Sequence, residues 1–553
     1  MKKTILLTLA VVMLVALPLG SAFGYEAFQG STELRQYNPG KAYNGYTMFS
    51  PFWFGNPSGV WTTYLIDMQG NLVKSWDFDM APGFYGYFTM DGTFMRPGED
   101  PDAAAIDTYG VLTGPRSGRV QELDWDGNVL LEFTHMSEDS MMHHDYRKIW
   151  NNALQQYTYL LLTFERMTAQ DAIDNGANPD LYEAGYTNNG KGWSLDGIYE
   201  TDASGNTLWS WSFADHLCQS YDASKAGYVS DISAHPEKLD LNYMTPVGGI
   251  GTDWTHCNSL DYNQELDQVV VNAKRMSEFY VIDHGGTFVA GNPAASVANA
   301  AGAGGDFIYR FGNPAAYGQG EPAAFNTEGN QQMYGSHDIQ WIGGANSAFT
   351  AAELSGVGLG NFLIFDNGCW CPKGYHSESI EINGFLDANG NNTGSYVNPP
   401  DAGYVSGTDS LSNQVAWNFR SSMENSFYSS YISGSQRLPN GNTMVCSGAC
   451  GHFFEVTQSG EVVWEYINPM AGGGFFGPVG APSANTVQTD AEGGMLYSVF
   501  RAHRYGPDHP MFVGKDMTPM GTITGRIAGT DDYPDPVTYN GIGFGSGLTV
   551  SGY

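Results

Sequence analysis

Three histidines recur in one frame along the chain, each opening a short β-type run: His144-Asp-Tyr-Arg-Lys-Ile149, His256-Cys-Asn-Ser-Leu260 and His337-Asp-Ile-Gln-Trp-Ile342. Ser433-Gly-Ser-Gln-Arg-Leu438 and Asn485-Thr-Val-Gln488 fit the same frame. Superposing Ile342 on Leu438 aligns Gln340 with Gln436 and sets His337 opposite Ser433; the same frame selects His144 over its neighbour His143. Arg275 follows His256 by 19 residues, Arg501 follows Asn485 by 16 and Arg166 follows His144 by 22, which puts scarce cations on the expected second strand of each unit. A neutral imidazole is a usable nucleophile, and a guanidinium fork matches the oxygens of a tetrahedral oxyanion. Together they read as a pocket that handles an anionic group. Three converging imidazoles also suit copper or zinc, but Arg275 beside them argues against a cation, so no metal is assigned to this set. His143, His216, His376, His452, His503 and His509 read as packed core residues, His503 standing close enough to Arg501 to border the same pocket.

The elements that must position these residues repeat as well. A strand, a turn with Asp and Gly, and a strand ending in an aromatic residue recur at Leu65–Trp76, Glu122–Phe133, Tyr199–Trp209, Phe279–Phe288 and Phe454–Trp464. Each reads as a hairpin whose Asp/Gly turn supplies the positive φ that such turns need. Two hairpins per unit, about six times over, predict an all-β fold, a six-bladed β-propeller with four-stranded blades. The units exceed a minimal blade of about 40–45 residues, so long loop insertions decorate them, and the Gly-, Asn- and Ser-rich stretch 369–410 reads as one such insertion. Within it, Asp387-Ala-Asn-Gly-Asn-Asn-Thr-Gly394 mimics the start of a calcium loop but lacks the spaced terminal Glu, and reads as a turn. In a propeller the first strand of every blade lines the axial channel, so His144, His256, His337, Ser433 and Asn485 should surround one cavity. The predicted organisation is a signal peptide over 1–24, a short N-terminal segment over 25–45, and a catalytic propeller over 46–553.

Composition agrees with that reading. The 553 residues carry 71 Gly and 14% aromatics, and only 15% are charged, a balance suited to many short strands joined by tight turns. With 58 acidic side chains against 24 Lys and Arg the formal net charge is −34, which excludes a basic nucleic-acid surface. An anionic substrate therefore needs its own local positive site. Lys2 and Lys3, the apolar run Ile5–Leu19 and the small-residue stretch Ser21–Gly24 form a secretory signal pattern, predicting a periplasmic or secreted protein whose mature part has no membrane span. Six cysteines in an oxidising compartment allow up to three disulfides, with Cys446 and Cys450 close enough in sequence to pair and Cys369 and Cys371 as a further candidate pair.

Three segments carry a more specific resemblance: Asp253-Trp-Thr-His-Cys-Asn-Ser259 with Ala273-Lys-Arg275, Ser336-His-Asp-Ile-Gln340 followed by Asn361–Gly368, and Gln436-Arg-Leu-Pro-Asn-Gly-Asn442 through Glu455–Trp464. In order and spacing they resemble the bacterial arylsulfate sulfotransferase family, over residues 60–510 and most clearly 250–470. The resemblance implies a periplasmic six-bladed propeller that moves a sulfuryl group from a phenolic sulfate ester to a phenol, without a nucleotide (PAPS) donor or other cofactor, by a ping-pong route through a sulfohistidine. It assigns the nucleophile to His337, a catalytic supporting set to His256, Arg275 and His144, and substrate binding to Asn258 and Ser433; Arg501 joins the substrate-binding set on the repeat pattern alone. The implied partners are a small phenolic sulfate donor and a phenol acceptor, with a homo-oligomer as an allowed assembly. The family's better-known members carry an N-terminal β-sandwich and a disulfide shortly before the nucleophile; the short stretch between Tyr25 and the first blade-like pattern implies that the former is absent or reduced, and no Cys lies between Cys257 and Cys369 to form the latter. Two readings from other classes stand beside this one: a propeller metalloenzyme with a His-lined copper or zinc site, and a non-catalytic binding propeller, since the fold alone implies no chemistry. Hydrolysis, with water in place of the phenol, is a third.

Overall fold

Alternation of β-branched and aromatic residues with Asp/Gly turns does produce a ring of small antiparallel sheets. The computed structural model describes residues 32–51, 60–106, 117–181, 193–243, 253–324, 326–398, 412–421, 427–470, 497–528 and 548–552. Six sheets form a six-bladed β-propeller. From the channel outward, blade I pairs Val499–Tyr505, Tyr46–Pro51, Trp61–Ile66 and Leu72–Phe78, and blade II pairs Tyr87–Phe88, Phe94–Glu99, Gly118–Leu123 and Val129–Thr134. Blade III comprises Ser140–Asn151, Gln156–Met167, Trp193–Thr201 and Thr207–Ser212; blade IV comprises Cys257–Asn263, Gln268–Ala273, Glu278–Asp283 and Phe307–Phe311. Blade V runs His337–Trp341, Phe362–Asp366, Glu378–Ile382 and Val415–Ser421, with Leu548–Gly552 added at its outer edge. Blade VI runs Gly434–Arg437, Thr443–Ser447, His452–Val456 and Val462–Ile467, with Glu33–Tyr37 added outside.

The ring is closed twice without a covalent bond. Val499–Tyr505, late in the chain, pairs with the early strand Tyr46–Pro51, and Glu33–Tyr37 pairs with Val462–Ile467. The stretch 25–45 thus contributes a strand to the last blade. Hairpin turns repeat one device: Asp67, Asp124 and Asp202 each accept through Oδ1 from the backbone N–H four residues on, with Gly70, Gly127 and Gly205 at φ of 80°, 85° and 79°. The stretch that mimics a calcium loop uses the same device, Asp387 Oδ1 accepting from the Asn389 and Asn391 amides at 2.8 Å. Indole rings at the outer-strand ends stitch neighbouring blades: Trp76 Nε1 donates to Trp125 O at 2.7 Å and Trp464 Nε1 to Met68 O at 2.9 Å. Truncating such a buried ring to Ala typically costs about 3–5 kcal/mol.

Four expectations change. Phe279–Phe288 is not a hairpin, because Glu278–Asp283 takes Phe307–Phe311 as its outer partner after an excursion containing the helix Pro293–Ala300. The 369–410 insertion is divided by the strand Glu378–Ile382, which pairs with Phe362–Asp366. All six cysteines are buried and none is joined to another in a disulfide. The second-strand placement of the arginines also fails: Arg501 lies on the innermost strand of blade I and Arg275 in the turn after Gln268–Ala273, leaving only Arg166 on a second strand, Gln156–Met167. The signal pattern and the Asn485 motif lie outside the described residues. Among those residues, no helix is long and apolar enough to cross a membrane.

Candidate active site

Channel strands would ordinarily alternate their side chains, but here bulges interrupt them where the chemistry-bearing residues stand. In blade IV Cys257 faces Ala273 and Ser259 faces Asn272, so Asn258 is the extra residue. In blade V His337 faces Phe365 and Gln340 faces Leu363, leaving Asp338 and Ile339 opposite Ile364. In blade III His143, His144 and Asp145 together oppose Leu162, and in blade I Phe500 and Arg501 oppose Ser50. Bulges bend a strand and re-aim its side chains, and they concentrate beside active sites. The backbone is correspondingly left-handed at His144 (φ 45°), His256 (φ 47°), Asp338 (φ 60°) and Ser433 (φ 95°). Each such residue costs about 1–3 kcal/mol that the surrounding fold must offset.

The three histidines of the sequence frame converge on the channel. The His144 and His256 rings meet edge to face with centroids 5.1 Å apart, and His337 interacts electrostatically with both. His337 is 2% exposed. Its Nδ1 sits 2.6 Å from Asn367 Oδ1, and the Asn367 amide is itself oriented by donating to the carbonyls of Ser429 (2.7 Å) and Ile432 (2.9 Å). Because Nδ2 makes those two bonds, Oδ1 can only accept, so the His337 proton resides on Nδ1 and the Nε2 lone pair is free. Burial, and then the Lys274 cation, push the His337 imidazole well below its usual range, so it is neutral at physiological pH. His144 is pushed well below by burial and by His143, and His256 is lowered by burial against the opposing pull of Asp253, which is hydrogen-bonded to His256 Nδ1. Among the three, His256 alone has a carboxylate on its ring.

Two residues missed by the sequence frame complete this layer. Lys274 is half-buried and acts electrostatically on all three imidazoles, and among the described residues it makes no ion pair. Arg275, the residue expected here, is one step further along the turn and acts on Asp253, on His256 and on Lys274 itself. His143 stacks on Phe164 with centroids 3.5 Å apart, its Nε2 lies 2.8 Å from Asp196 Oδ1, and its Nδ1 lies 2.6 Å from His144 Nδ1. Of the two Nδ1 atoms one donates and the other accepts, which couples the tautomers of His143 and His144. Phe84 stacks on His144 at 5.2 Å and on Phe500 at 4.7 Å, forming an aromatic wall beside the imidazoles.

Beneath the imidazoles a buried charge network plugs the channel. Arg501 Nη1 donates to Asp145 Oδ2 at 3.0 Å, its Nε lies 2.8 Å from Asp338 Oδ1, and its Nη2 donates to Asn258 O at 3.2 Å. Asp145 is also paired with Arg147, and Asp338 accepts from the Ser435 amide at 3.1 Å. Blades I, III, IV, V and VI are thereby tied together at the axis. The remaining predicted residues belong to this frame. Asn258 donates to Ser336 O at 2.8 Å and accepts from Asn272 and Ser259, bracing the residue before His337. Ser433 donates to Ser429 Oγ and accepts from the Gly448 amide. Thus His144, His256 and His337 come together at the inner strands, while Asn258, Ser433 and Arg501 are spent on protein partners around them.

What the arrangement offers chemically is a neutral imidazole with a free lone pair, a neighbouring imidazole–carboxylate pair, and an ammonium facing both. This suits attack on an anionic, electrophilic group. Among solved structures, the chain is similar to a protein of unknown function from Bacteroides caccae (10% identity, 83% of this chain and 98% of that one, TM-score 0.35). It is also similar to a periplasmic gluconolactonase from Pseudomonas aeruginosa (9% identity, 83% and 99%, TM-score 0.31). No curated protein matches it significantly. A family model described as arylsulfotransferase (ASST) matches residues 177–472, a span holding His256, Asn258, Lys274, Arg275, His337, Asn367 and Ser433. With more than half of its length matched, the chain belongs to the arylsulfotransferase (ASST) family.

Proposed function

We propose that the protein moves a sulfuryl group from a phenolic sulfate ester to a phenol in two half-reactions through His337, with no nucleotide donor. The observation that carries this reading is the His337–Asn367 pair, which leaves a neutral imidazole with its Nε2 lone pair free. In the first half-reaction that lone pair attacks sulfur. An N–S bond forms, the S–O bond to the aryl oxygen breaks, and the phenolate departs with the electron pair. The ring proton stays on Nδ1, held by Asn367. Lys274 faces the sulfuryl oxygens and offsets the charge that shifts onto the leaving oxygen. Entry of an anionic ester raises the pKa of the imidazoles around it, most usefully His256, whose Asp253 partner stabilises the charged form. His256 then gives its proton to the phenolate, and in the second half-reaction takes the proton of the acceptor phenol as that oxygen attacks the sulfohistidine. His144 and the Phe84 wall border the aryl group, Arg275 favours the ionised form of Asp253, and Asn258, Ser433 and Arg501 hold the frame. The Lys2–Gly24 pattern supports a reaction outside the cytoplasm.

The test is release of nitrophenol from p-nitrophenyl sulfate by wild type and His337→Ala, with and without added phenol. Release that needs phenol and vanishes in His337→Ala supports the reading. Release that ignores phenol identifies a hydrolase, and release that survives His337→Ala removes His337 from the chemistry.

A further inference from the structure

A second cluster of ligating side chains lies outside the channel, in the loops that flank blade V. Glu328 belongs to the loop leading into His337–Trp341, and Cys371 and His376 to the loop joining Phe362–Asp366 to Glu378–Ile382. One ligand atom from each of the three lies within 4.8 Å of the others. Cys371 Sγ is 3.3 Å from Glu328 Oε1, with the thiol buried and the other two side chains partly so. Both imidazole nitrogens of His376 have partners, Nε2 lying 3.3 Å from Glu378 Oε1 and Nδ1 3.2 Å from Gly374 O, so the nitrogen that takes the ion gives up its contact and the other keeps the outer partner that a metal-bound histidine uses. Glu378 is in turn fixed by Asn418 and Arg420, each at 3.1 Å. We infer that Glu328, Cys371 and His376 bind a zinc-class divalent cation that clamps the loop beside the nucleophile.

The donor set selects the ion. Thiolate, imidazole and carboxylate together match the borderline-soft zinc ion, whereas calcium and magnesium take oxygen ligands. Three protein ligands leave a fourth tetrahedral position for water. Lys373 Nζ stands 3.7 Å from Glu328 Oε2 and partly balances the charge of this carboxylate. The clamp has a structural consequence near the channel. The loop ends cross at Gly368, where φ is 65° and an added Cβ would lie 1.4 Å from His376 O. Trp370 and Cys369 pack on Gly335, two residues before His337, and Asn367 at the head of the loop holds the His337 ring. This site differs from a His-lined channel metal centre, because Lys274 occupies the charged position facing the channel imidazoles.

The test uses the full chain purified without chelator, dialysed against zinc chloride and then against metal-free buffer. Wild type is expected to retain about one zinc per chain. Cys371→Ser and His376→Gln should each lose about tenfold or more in zinc affinity, while Cys369→Ser, whose thiol bonds Ser430 O instead, keeps it. Cobalt substituted into the wild type should show a thiolate-to-metal charge-transfer band, a readout independent of whether any variant folds. Wild type that retains no zinc, zinc content unchanged in Cys371→Ser, a cobalt complex without the thiolate band, or a Cys369–Cys371 disulfide in mapped peptides would each overturn the inference.

Discussion

Replacing Asn367 isolates the device that, in the proposed reaction, makes His337 the nucleophile. In Asn367→Ala the imidazole loses its acceptor at 2.6 Å, and its buried Nδ1–H is left without a partner. An orphaned buried donor costs about 1–3 kcal/mol, and each 1.4 kcal/mol is a factor of about ten, so kcat/KM should fall between about fivefold and 150-fold. The loss belongs in kcat, because Asn367 is buried behind the ring. The carbonyls of Ser429 and Ile432 lose their donor as well, so the melting temperature should drop together with the rate. Asn367→Asp separates orientation from stability, since it keeps an acceptor but adds a negative charge that favours imidazolium. His337 must be neutral to attack, and its depressed pKa keeps it so down to well below pH 6.5 in the wild type. Raising that pKa moves the acidic limb of the pH–rate profile to higher pH. The assay is phenol-dependent nitrophenol release from p-nitrophenyl sulfate across pH, with a thermal melt on each variant. Unchanged kcat/KM in Asn367→Ala, or an acidic limb that stays in place in Asn367→Asp, would refute the reasoning.

Three further outcomes follow from the same contacts. Lys274→Met should raise the KM for the sulfate ester and lower kcat by about ten- to a hundredfold, and Lys274→Arg should restore most of it; the steady-state assay reads both. Arg501→Met leaves Asp145 and Asp338 buried without their shared partner, so stability in urea should fall by about 3–5 kcal/mol; an unchanged unfolding midpoint would show that the axial network is dispensable. Burial alone would lower the His284 imidazole, but its bonds to Asp267 and Glu200 raise it to about 9. Its contribution to stability is therefore complete below the unfolded value near 6.5 and is lost as pH rises through about 9. Wild type should lose stability across that window by thermal melting, and His284→Gln should flatten the loss.

Much of this was legible in the sequence because a propeller repeats its geometry. The His144, His256 and His337 motifs are the inner strands of three successive blades, and their shared frame reports a shared position at the channel. The Asp-x-x-Gly-Asn turns were equally plain, since each needs a glycine at positive φ. The rest is hidden from the sequence for physical reasons. The bulges and the turn after Ala273 displace side chains by one position, so counting along a strand selected Arg275 where Lys274 faces the imidazoles. The partnership of Asn367 with His337 depends on an amide orientation set by Ser429 and Ile432, which no spacing encodes. Arg501 resembled a second-strand cation because its true partner strand, Tyr46–Pro51, lies at the other end of the chain. His143 passed as a core residue; only the backbone at His144 brings the two rings into contact. In blade II the inner strand is just Tyr87–Phe88, too short to carry a recognisable motif.

Sulfuryl transfer through His337 predicts a covalent intermediate, and trapping it is the most direct measurement. The full chain is incubated with p-nitrophenyl sulfate in the absence of any phenol acceptor, quenched at alkaline pH, and digested for peptide mass mapping. The expected result is one sulfuryl group on the peptide containing His337, absent in His337→Ala and discharged from the wild type by added phenol. An acceptor-dependent transferase that carries no adduct on His337, or carries it on another residue, contradicts the account.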